Sequence, residues 1–259
     1  MNEIQNWFIK NNINIHQTKS DRYLISTIKI LDNLSKLYTN PKQILDIGCG
    51  YGYNTCLLSK YFPDAKIDAI DYGKEKTKTW TKILAEIRPN IRFKFGDARN
   101  TNLPTEKYDV IIMWGLLEHL GEEQFLKYKG KMQRNYAEAQ EALCLKEIHR
   151  LLKNKGILYI CYLPNEKSWI ENLTKHTKLY SHKIKFTPSR ISNLLATNGF
   201  LPTKISYEHF FPSLYFILGK YIGGSLNRIS PLINSIEGLI RMTPLKKYSQ
   251  DLEIIAYKK

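Results

Sequence analysis

The stretch Ile44-Leu45-Asp46-Ile47-Gly48-Cys49-Gly50-Tyr51-Gly52-Tyr53-Asn54-Thr55 decides the fold. A short apolar run carries Asp46 and stops. Glycines follow at positions 48, 50 and 52, and Leu57, Leu58, Tyr61 and Phe62 then recur at helical spacing. That order is a strand, a tight loop and a helix. Glycine lets the backbone turn sharply after a strand and sit against a ligand that a Cβ would push away. A small molecule is therefore expected over the loop.

The loop chemistry narrows the choice. Dinucleotide folds use G-x-G-x-x-G with a phosphate at the helix N-terminus. Here the third glycine comes one residue early, and Tyr53 stands where that pattern needs glycine. Asp46, just before the loop, would repel a pyrophosphate and favour a cation. S-adenosyl-L-methionine carries an ammonium and a sulfonium and no phosphate, so the loop favours it over NAD.

Further runs repeat the alternation. Ile67 to Ile70 ends in Asp71, and Tyr72 follows it. Ile91 to Phe95 ends in Gly96-Asp97-Ala98, and Tyr108 to Met113 leads into Trp114-Gly115-Leu116-Leu117-Glu118-His119-Leu120. With Asp46, Gly48, Gly50 and Gly52 matching D-x-G-x-G-x-G, the chain resembles the class I S-adenosylmethionine-dependent methyltransferases. The E-H-L ending is similar to their small-molecule branch, which includes quinone-biosynthesis enzymes. The resemblance implies a doubly wound, mostly parallel seven-stranded sheet with an antiparallel edge hairpin. It also implies S-adenosyl-L-methionine as cofactor, with Asp46, Gly48, Cys49, Gly50, Gly52, Asp71, Tyr72, Asp97, Ala98 and Trp114 around it. Asp71 would take the ribose hydroxyls, in hydrogen bonds worth roughly 1.5–3 kcal/mol each. Asp97 would accept from the adenine amino group.

Composition sets bounds. The 259 residues are 43% hydrophobic, enough for one α/β domain with additions. No apolar run reaches the about 18 residues of a spanning helix. The N-terminus lacks the basic start and apolar centre of a signal peptide, so a cytoplasmic protein is expected. The net charge of +15 raises nucleic acid or an anionic membrane as partners. Lysine far outnumbers arginine, however, and is scattered among Asn, Ile and Tyr, as on a solvated surface. The N/D-P-P-Y/F motif of base-amino methyltransferases is missing after the fourth run. Both points argue against RNA or another nucleic acid as acceptor. The four cysteines, Cys49, Cys56, Cys144 and Cys161, show no C-x-x-C spacing and read as free thiols. No Asp/His cluster has metal-ligand spacing along the chain, so no metal is expected.

One domain over 1–259 is expected. Residues 1–40 form a helical cap with Leu24, Ile28, Leu31 and Leu34 near one face, and 41–163 form the cofactor-binding core. Residues 164–207 and 251–259 complete the sheet through strands at Phe200–Tyr207 and Leu252–Tyr257. Leu145, Ile148, Leu151 and Leu152 mark a helix ending near Asn154-Lys155-Gly156, before a fifth strand at Ile157–Leu163. Two segments exceed a minimal family member. Residues 121–142 are charged, with Lys127, Lys129, Lys131 and Arg134. Residues 208–250 hold Phe210, Phe211, Leu214, Tyr215, Phe216, Ile217 and Leu218, then a helix opening at Ser230-Pro231. That helix carries Leu232, Ile233, Ile236, Leu239 and Ile240 on one face, flanked by Lys220, Arg228, Arg241, Lys246 and Lys247. Both segments are expected beside the ligand crevice, building the acceptor pocket. The second also suits peripheral contact with the inner membrane face.

The acceptor expected is a small metabolite, a glycan unit or a lipid-linked precursor. A hydroxyl acceptor needs a base, and His119 is the first candidate because it follows the fourth strand and imidazole titrates in the useful range. Glu118 is the second. His209 heads the long insertion and is placed to reach an acceptor. His149 reads as structural, and His16, His176 and His182 carry no signal. Trp80 reads as core packing. An NAD-dependent oxidoreductase is disfavoured by Tyr53 and Asp97. A binding protein that kept the fold without activity is the other alternative, since fold alone does not establish reaction.

Overall fold

The computed structural model describes residues 2–13, 21–87, 89–122, 127, 130–175, 182–211 and 225–259. Of the residues singled out above, His16, Lys129, His176, Leu214, Tyr215, Phe216, Ile217, Leu218 and Lys220 lie outside the described residues. So do the side chains of Lys131 and Arg228.

Seven strands form one sheet: β1 (Gln43–Ile47), β2 (Lys66–Asp71), β3 (Ile91–Phe95), β4 (Tyr108–Trp114), β5 (Leu152–Pro164), β6 (Phe200–Glu208) and β7 (Asp251–Lys258). Their order is β3-β2-β1-β4-β5-β7-β6. The first five run parallel, and β7 is antiparallel to both β5 and β6. This is the doubly wound sheet with an antiparallel edge that the sequence implies.

The helices are α1 (Asn2–Lys10), α2 (Asp21–Leu37), α3 (Tyr53–Tyr61), α4 (Thr77–Glu86), α5 (Gly130–Leu151), α6 (Trp169–Thr174), α7 (Pro188–Thr197) and α8 (Ser225–Arg241). Alternation along the strands divides the core in two. Ile44, Val110, Ile112 and Tyr159 point to the face covered by α1 to α4. Leu45, Ile111, Met113 and Leu158 point to the other, where α5 and α7 supply Leu145, Ile148, Ile191 and Leu195. Central strands buried on both faces have to be apolar throughout, which is why they stand out as runs. The helix α7 opens as its sequence dictates: Thr187 Oγ1 accepts from the Arg190 amide, and Pro188 needs no donor at the first position.

Three boundaries differ from expectation. The helix α5 ends at Leu151 and β5 starts at Leu152, where Tyr108 pairs with it, so no loop separates helix from strand. The charged segment becomes the first turns of α5 from Gly130 onward. The helix α8 begins at Ser225, so Pro231 sits inside it and removes one internal hydrogen bond. It packs against α2, and Arg241 lies 3.4 Å from Glu208 at the end of β6.

Candidate functional site

On one side of β1 lies β2, on the other β4, and the loops leaving their carboxyl ends part there. Open α/β sheets hold ligands at such a crevice. The chain leaves β1 through Gly48, Gly50 and Gly52 at φ +80°, +56° and +87°. The three glycines serve different ends. A Cβ on Gly48 would lie 2.9 Å from Leu116, and one on Gly52 would lie 2.8 Å from Phe93. Those two let the loop pack on its own protein. A Cβ on Gly50 would meet nothing within 4 Å among the described residues. Gly50 is therefore the part of the loop that a ligand can approach.

Hydrogen bonds fix the loop from several directions. Gly48 and Cys49 both donate to the Ile70 carbonyl at 2.8 and 3.0 Å, and Gly52 donates to the Cys49 carbonyl at 2.9 Å. The Gly50 amide donates to Asp71 Oδ2 at 2.7 Å. Trp80 Nε1 donates to the Gly50 carbonyl at 3.0 Å while its ring stacks on Phe93. Trp80 is thus core packing, as expected, and also a clamp on the loop. The Cys49 thiol is buried and held well above its ordinary pKa by that burial, so it stays protonated.

Asp46 is fully buried on β1. Its Oδ2 accepts from Thr55 Oγ1 at 2.6 Å, and its Oδ1 has no partner among the described residues. Burial pushes its carboxyl up to about 7, against the opposing pull of the Thr55 hydrogen bond and with a smaller push from Asp71. A buried carboxylate oxygen left unpaired is costly and favours a cationic partner. This orphaned oxygen and the open face of Gly50 fit the ammonium-bearing end of S-adenosyl-L-methionine. They do not fit a pyrophosphate.

The two acids reserved for ribose and adenine are not unencumbered. Asp71 Oδ1 accepts from Gly73 at 2.9 Å and from Lys76 Nζ at 2.6 Å. Asp97 is gripped by Arg99, with Nε 2.9 Å from Oδ1 and Nη2 2.6 Å from Oδ2, which holds its carboxyl below the ordinary range. A bound nucleoside would have to share these acids with Lys76 and Arg99. Ala98 is buried beside Asp97. Tyr72 is exposed, with its ring 5.9 Å from Phe95. Trp114 packs into the core, and its indole nitrogen has no partner among the described residues.

Across the crevice, sequence-distant groups converge. The ladder between β5 and β7 shifts register between Ile160 and Leu163. Tyr162, at φ +58°, bulges out there, as a bulge re-aims a side chain. Its ring lies between Tyr23, 5.0 Å away and nearly parallel, and His209, 5.3 Å away and nearly parallel. His209 Nδ1 is 3.0 Å from Asp251 Oδ2, and its Nε2 is 2.6 Å from Ser26 Oγ. An aspartate on Nδ1 makes that nitrogen the proton carrier and leaves Nε2 as acceptor, the arrangement of a general base.

Glu118 and His119 follow β4 as expected. Glu118 is buried, and burial pushes its carboxyl up to about 8. His119 Nδ1 is 3.0 Å from Glu122 Oε2, and the side chain is 38% exposed. His182, without signal in the sequence, lies beside them and holds Glu171 at 2.7 Å. Burial lowers the His182 pKa, but the Glu171 hydrogen bond and charge outweigh it and leave it raised. Glu118, His119 and His182 each place a ligand atom within 4.8 Å of the others. Spacing along the chain had suggested no such grouping. Ser26, Asp251, Tyr162 and Lys76 were equally invisible, and only the position of His209 at the head of an insertion gave a hint.

Known proteins share this architecture. A family model described as "Methyltransferase domain" matches residues 39–205. A malonyl-[acyl-carrier protein] O-methyltransferase of Nitrosospira multiformis is 28% identical over 187 residues, covering 70% of this chain and 59% of that protein. A sphingolipid C9-methyltransferase of Candida albicans is 28% identical over 134 residues, 49% of this chain and 23% of that protein. The matched region thus spans less than two thirds of either relative. Among solved structures, the 1,6-didemethyltoxoflavin-N1-methyltransferase of Burkholderia thailandensis, crystallised with S-adenosylhomocysteine, superposes with a TM-score of 0.55 at 14% identity. That match covers 90% of this chain and 78% of the other.

Proposed function

The chain belongs to the methyltransferase-domain family, and from that premise we propose that it transfers the methyl group of S-adenosyl-L-methionine to a small metabolite, a glycan unit or a lipid-linked precursor. The observation that carries the reading is the pairing of the open face at Gly50 with the partnerless buried oxygen of Asp46. The cofactor supplies an activated methyl group on a good leaving group. The protein therefore has mainly to align donor and acceptor, which can supply on the order of 7–11 kcal/mol.

Gly48, Cys49, Gly50 and Gly52 would bear the cofactor, Asp46 would answer its ammonium charge, and Asp71 and Asp97 would meet its nucleoside while shared with Lys76 and Arg99. For a hydroxyl acceptor we assign the proton to His209 Nε2, with Asp251 orienting the ring and Ser26 filling the position until the acceptor arrives. His119, tied to Glu122 and more exposed, is the alternative base.

Relatives acting on malonyl-[acyl-carrier protein] and on a sphingolipid support an acyl- or lipid-type acceptor. A surface feature supports it too. Leu232 and Leu239 on α8 and Met242 beyond it are 63%, 66% and 85% exposed, next to Arg241, Lys246 and Lys247. An apolar stripe flanked by basic residues suits an anionic membrane surface. Replacing Leu232 and Leu239 with Asp should then abolish sedimentation with anionic vesicles; wild-type protein that never sediments removes that contact.

The transfer itself is tested by incubating the protein with cofactor labelled in its methyl group and a cell extract. A labelled product with equal release of S-adenosylhomocysteine is expected. Cofactor that stays intact with every extract fraction would contradict the proposal.

A further inference from the structure

Glu118 and His119 sit on the short 3-10 turn after β4, and His182 reaches them from the segment that precedes α7. One ligand atom from each lies within 4.8 Å of the other two, and Glu118 Oε1 is 3.8 Å from His119 Nε2. Both imidazoles are steered by carboxylates. His119 Nδ1 is 3.0 Å from Glu122 Oε2, and His182 Nδ1 is 2.7 Å from Glu171 Oε1. Glu171 is itself fixed, since it accepts from the His182 amide at 3.0 Å and pairs with Lys185 at 3.2 Å. A carboxylate on one ring nitrogen is how metal-binding histidines are generally oriented, because it sets the tautomer and aims the other nitrogen.

Glu118 supplies an independent sign. It is 2% exposed, and its Oε2 has no hydrogen-bond partner among the described residues. A buried carboxylate oxygen without a described donor, beside two steered imidazoles, favours a cation. We propose that Glu118, His119 and His182 form a binding site for a divalent first-row transition-metal ion such as zinc. Two imidazoles and one carboxylate suit zinc and its neighbours, whereas magnesium and calcium prefer oxygen ligands throughout. Ligands about 2.0–2.2 Å from zinc stand roughly 3–3.5 Å apart, so the three side chains need to close only modestly. The part-exposed side chain of His119 gives the ion a route in from solvent and leaves room for a non-protein ligand. The site needs no methyl donor, and its metal uptake is read without the transfer reaction.

The test uses the full chain stripped with a chelator and titrated calorimetrically with ZnCl2, CoCl2 and MgCl2. One zinc or cobalt per chain is expected, with visible absorption bands from bound cobalt and no heat from magnesium. His119→Ala and His182→Ala should each weaken uptake by more than about 100-fold, and Glu122→Gln by about 10-fold. Circular dichroism melts show whether each variant folds; His119→Ala, at a part-exposed site, and Glu122→Gln decide the matter if His182→Ala does not. Absence of stoichiometric uptake by the wild-type protein would overturn the site. So would unchanged uptake by folded His119→Ala. Binding of S-adenosylhomocysteine, measured on the same samples, separates this outcome from the fate of the cofactor reading.

Discussion

The indole N–H of Trp80 donates to the carbonyl of Gly50 across 3.0 Å, so the helix following β2 holds the loop following β1. Trp80→Phe keeps the stacking surface over Phe93 and deletes this bond. A net loss of about 0.5–1.5 kcal/mol in stability is expected. Affinity for S-adenosylhomocysteine should fall by about ten-fold as the loop loosens, since 1.4 kcal/mol is a factor of ten. Thermal melts and calorimetric titration check both; unchanged affinity would mean the clamp is structural alone.

Gly50 and Gly52 should respond differently to a methyl group. Gly52→Ala drives a Cβ to within 2.8 Å of Phe93, and the ligand-free protein should lose about 1–3 kcal/mol from overpacking in addition to the strain of its own left-handed backbone. Gly50→Ala meets no neighbour and carries only the backbone strain of its left-handed conformation, roughly 1–2 kcal/mol. Its main effect should be on ligand. Melts with and without S-adenosylhomocysteine should show Gly50→Ala losing most of the ligand-induced shift. A full shift in that variant would place the ligand elsewhere.

Asp46 predicts a pH dependence with a definite sign. Its carboxyl rises from an ordinary 3.8 to about 7 in the folded protein. Between those values the folded chain holds a proton that the unfolded chain has lost, so this group's contribution to stability is present at low pH and fades as pH rises through about 7. Subtracting the melting profile of Asp46→Asn from that of the wild type isolates the effect. The cofactor's ammonium wants the ionised acid, so S-adenosylhomocysteine should bind more tightly at pH 8 than at pH 6 and displace a proton from the protein. Titrations in buffers of different ionisation heat measure that proton. An identical pH profile for Asp46→Asn would remove Asp46 from the ligand site.

His209 and Asp251 should behave as a pair. His209→Asn should slow methyl transfer by about 10²–10⁴-fold while cofactor affinity stays near wild type. Asp251→Asn should slow it through the wrong tautomer, with cofactor affinity again near wild type. If His119→Ala slows transfer and His209→Asn does not, the base lies on the β4 side of the crevice.

The central strands were legible because burial on both faces demands unbroken apolar runs; β4 at Tyr108–Trp114 is buried throughout and takes in the run read at Tyr108 to Met113. The junction of α5 and β5 was not, because Lys153, Asn154 and Lys155 look like a loop although β5 already pairs with β4 at Leu152, and they fill the register shift before pairing resumes at Ile157. The glycine loop could be read because its chemistry lies in consecutive residues. The groups facing it could not. Ser26, His182, His209 and Asp251 come from distant elements joined only when the sheet closes through β7, and no local period links them. The cations on Asp71 and Asp97 were missed for another reason. Whether Lys76 and Arg99 turn toward an acid depends on rotamers that spacing does not fix.

The central claim is that a sulfonium nucleoside sits over Gly50 against Asp46. Titrating the protein in parallel with S-adenosylhomocysteine and NAD tests it most directly. One S-adenosylhomocysteine per chain, lost in Gly50→Ala and Asp46→Asn, with no uptake of NAD, is the predicted result. Saturable NAD binding with no heat from S-adenosylhomocysteine would contradict it.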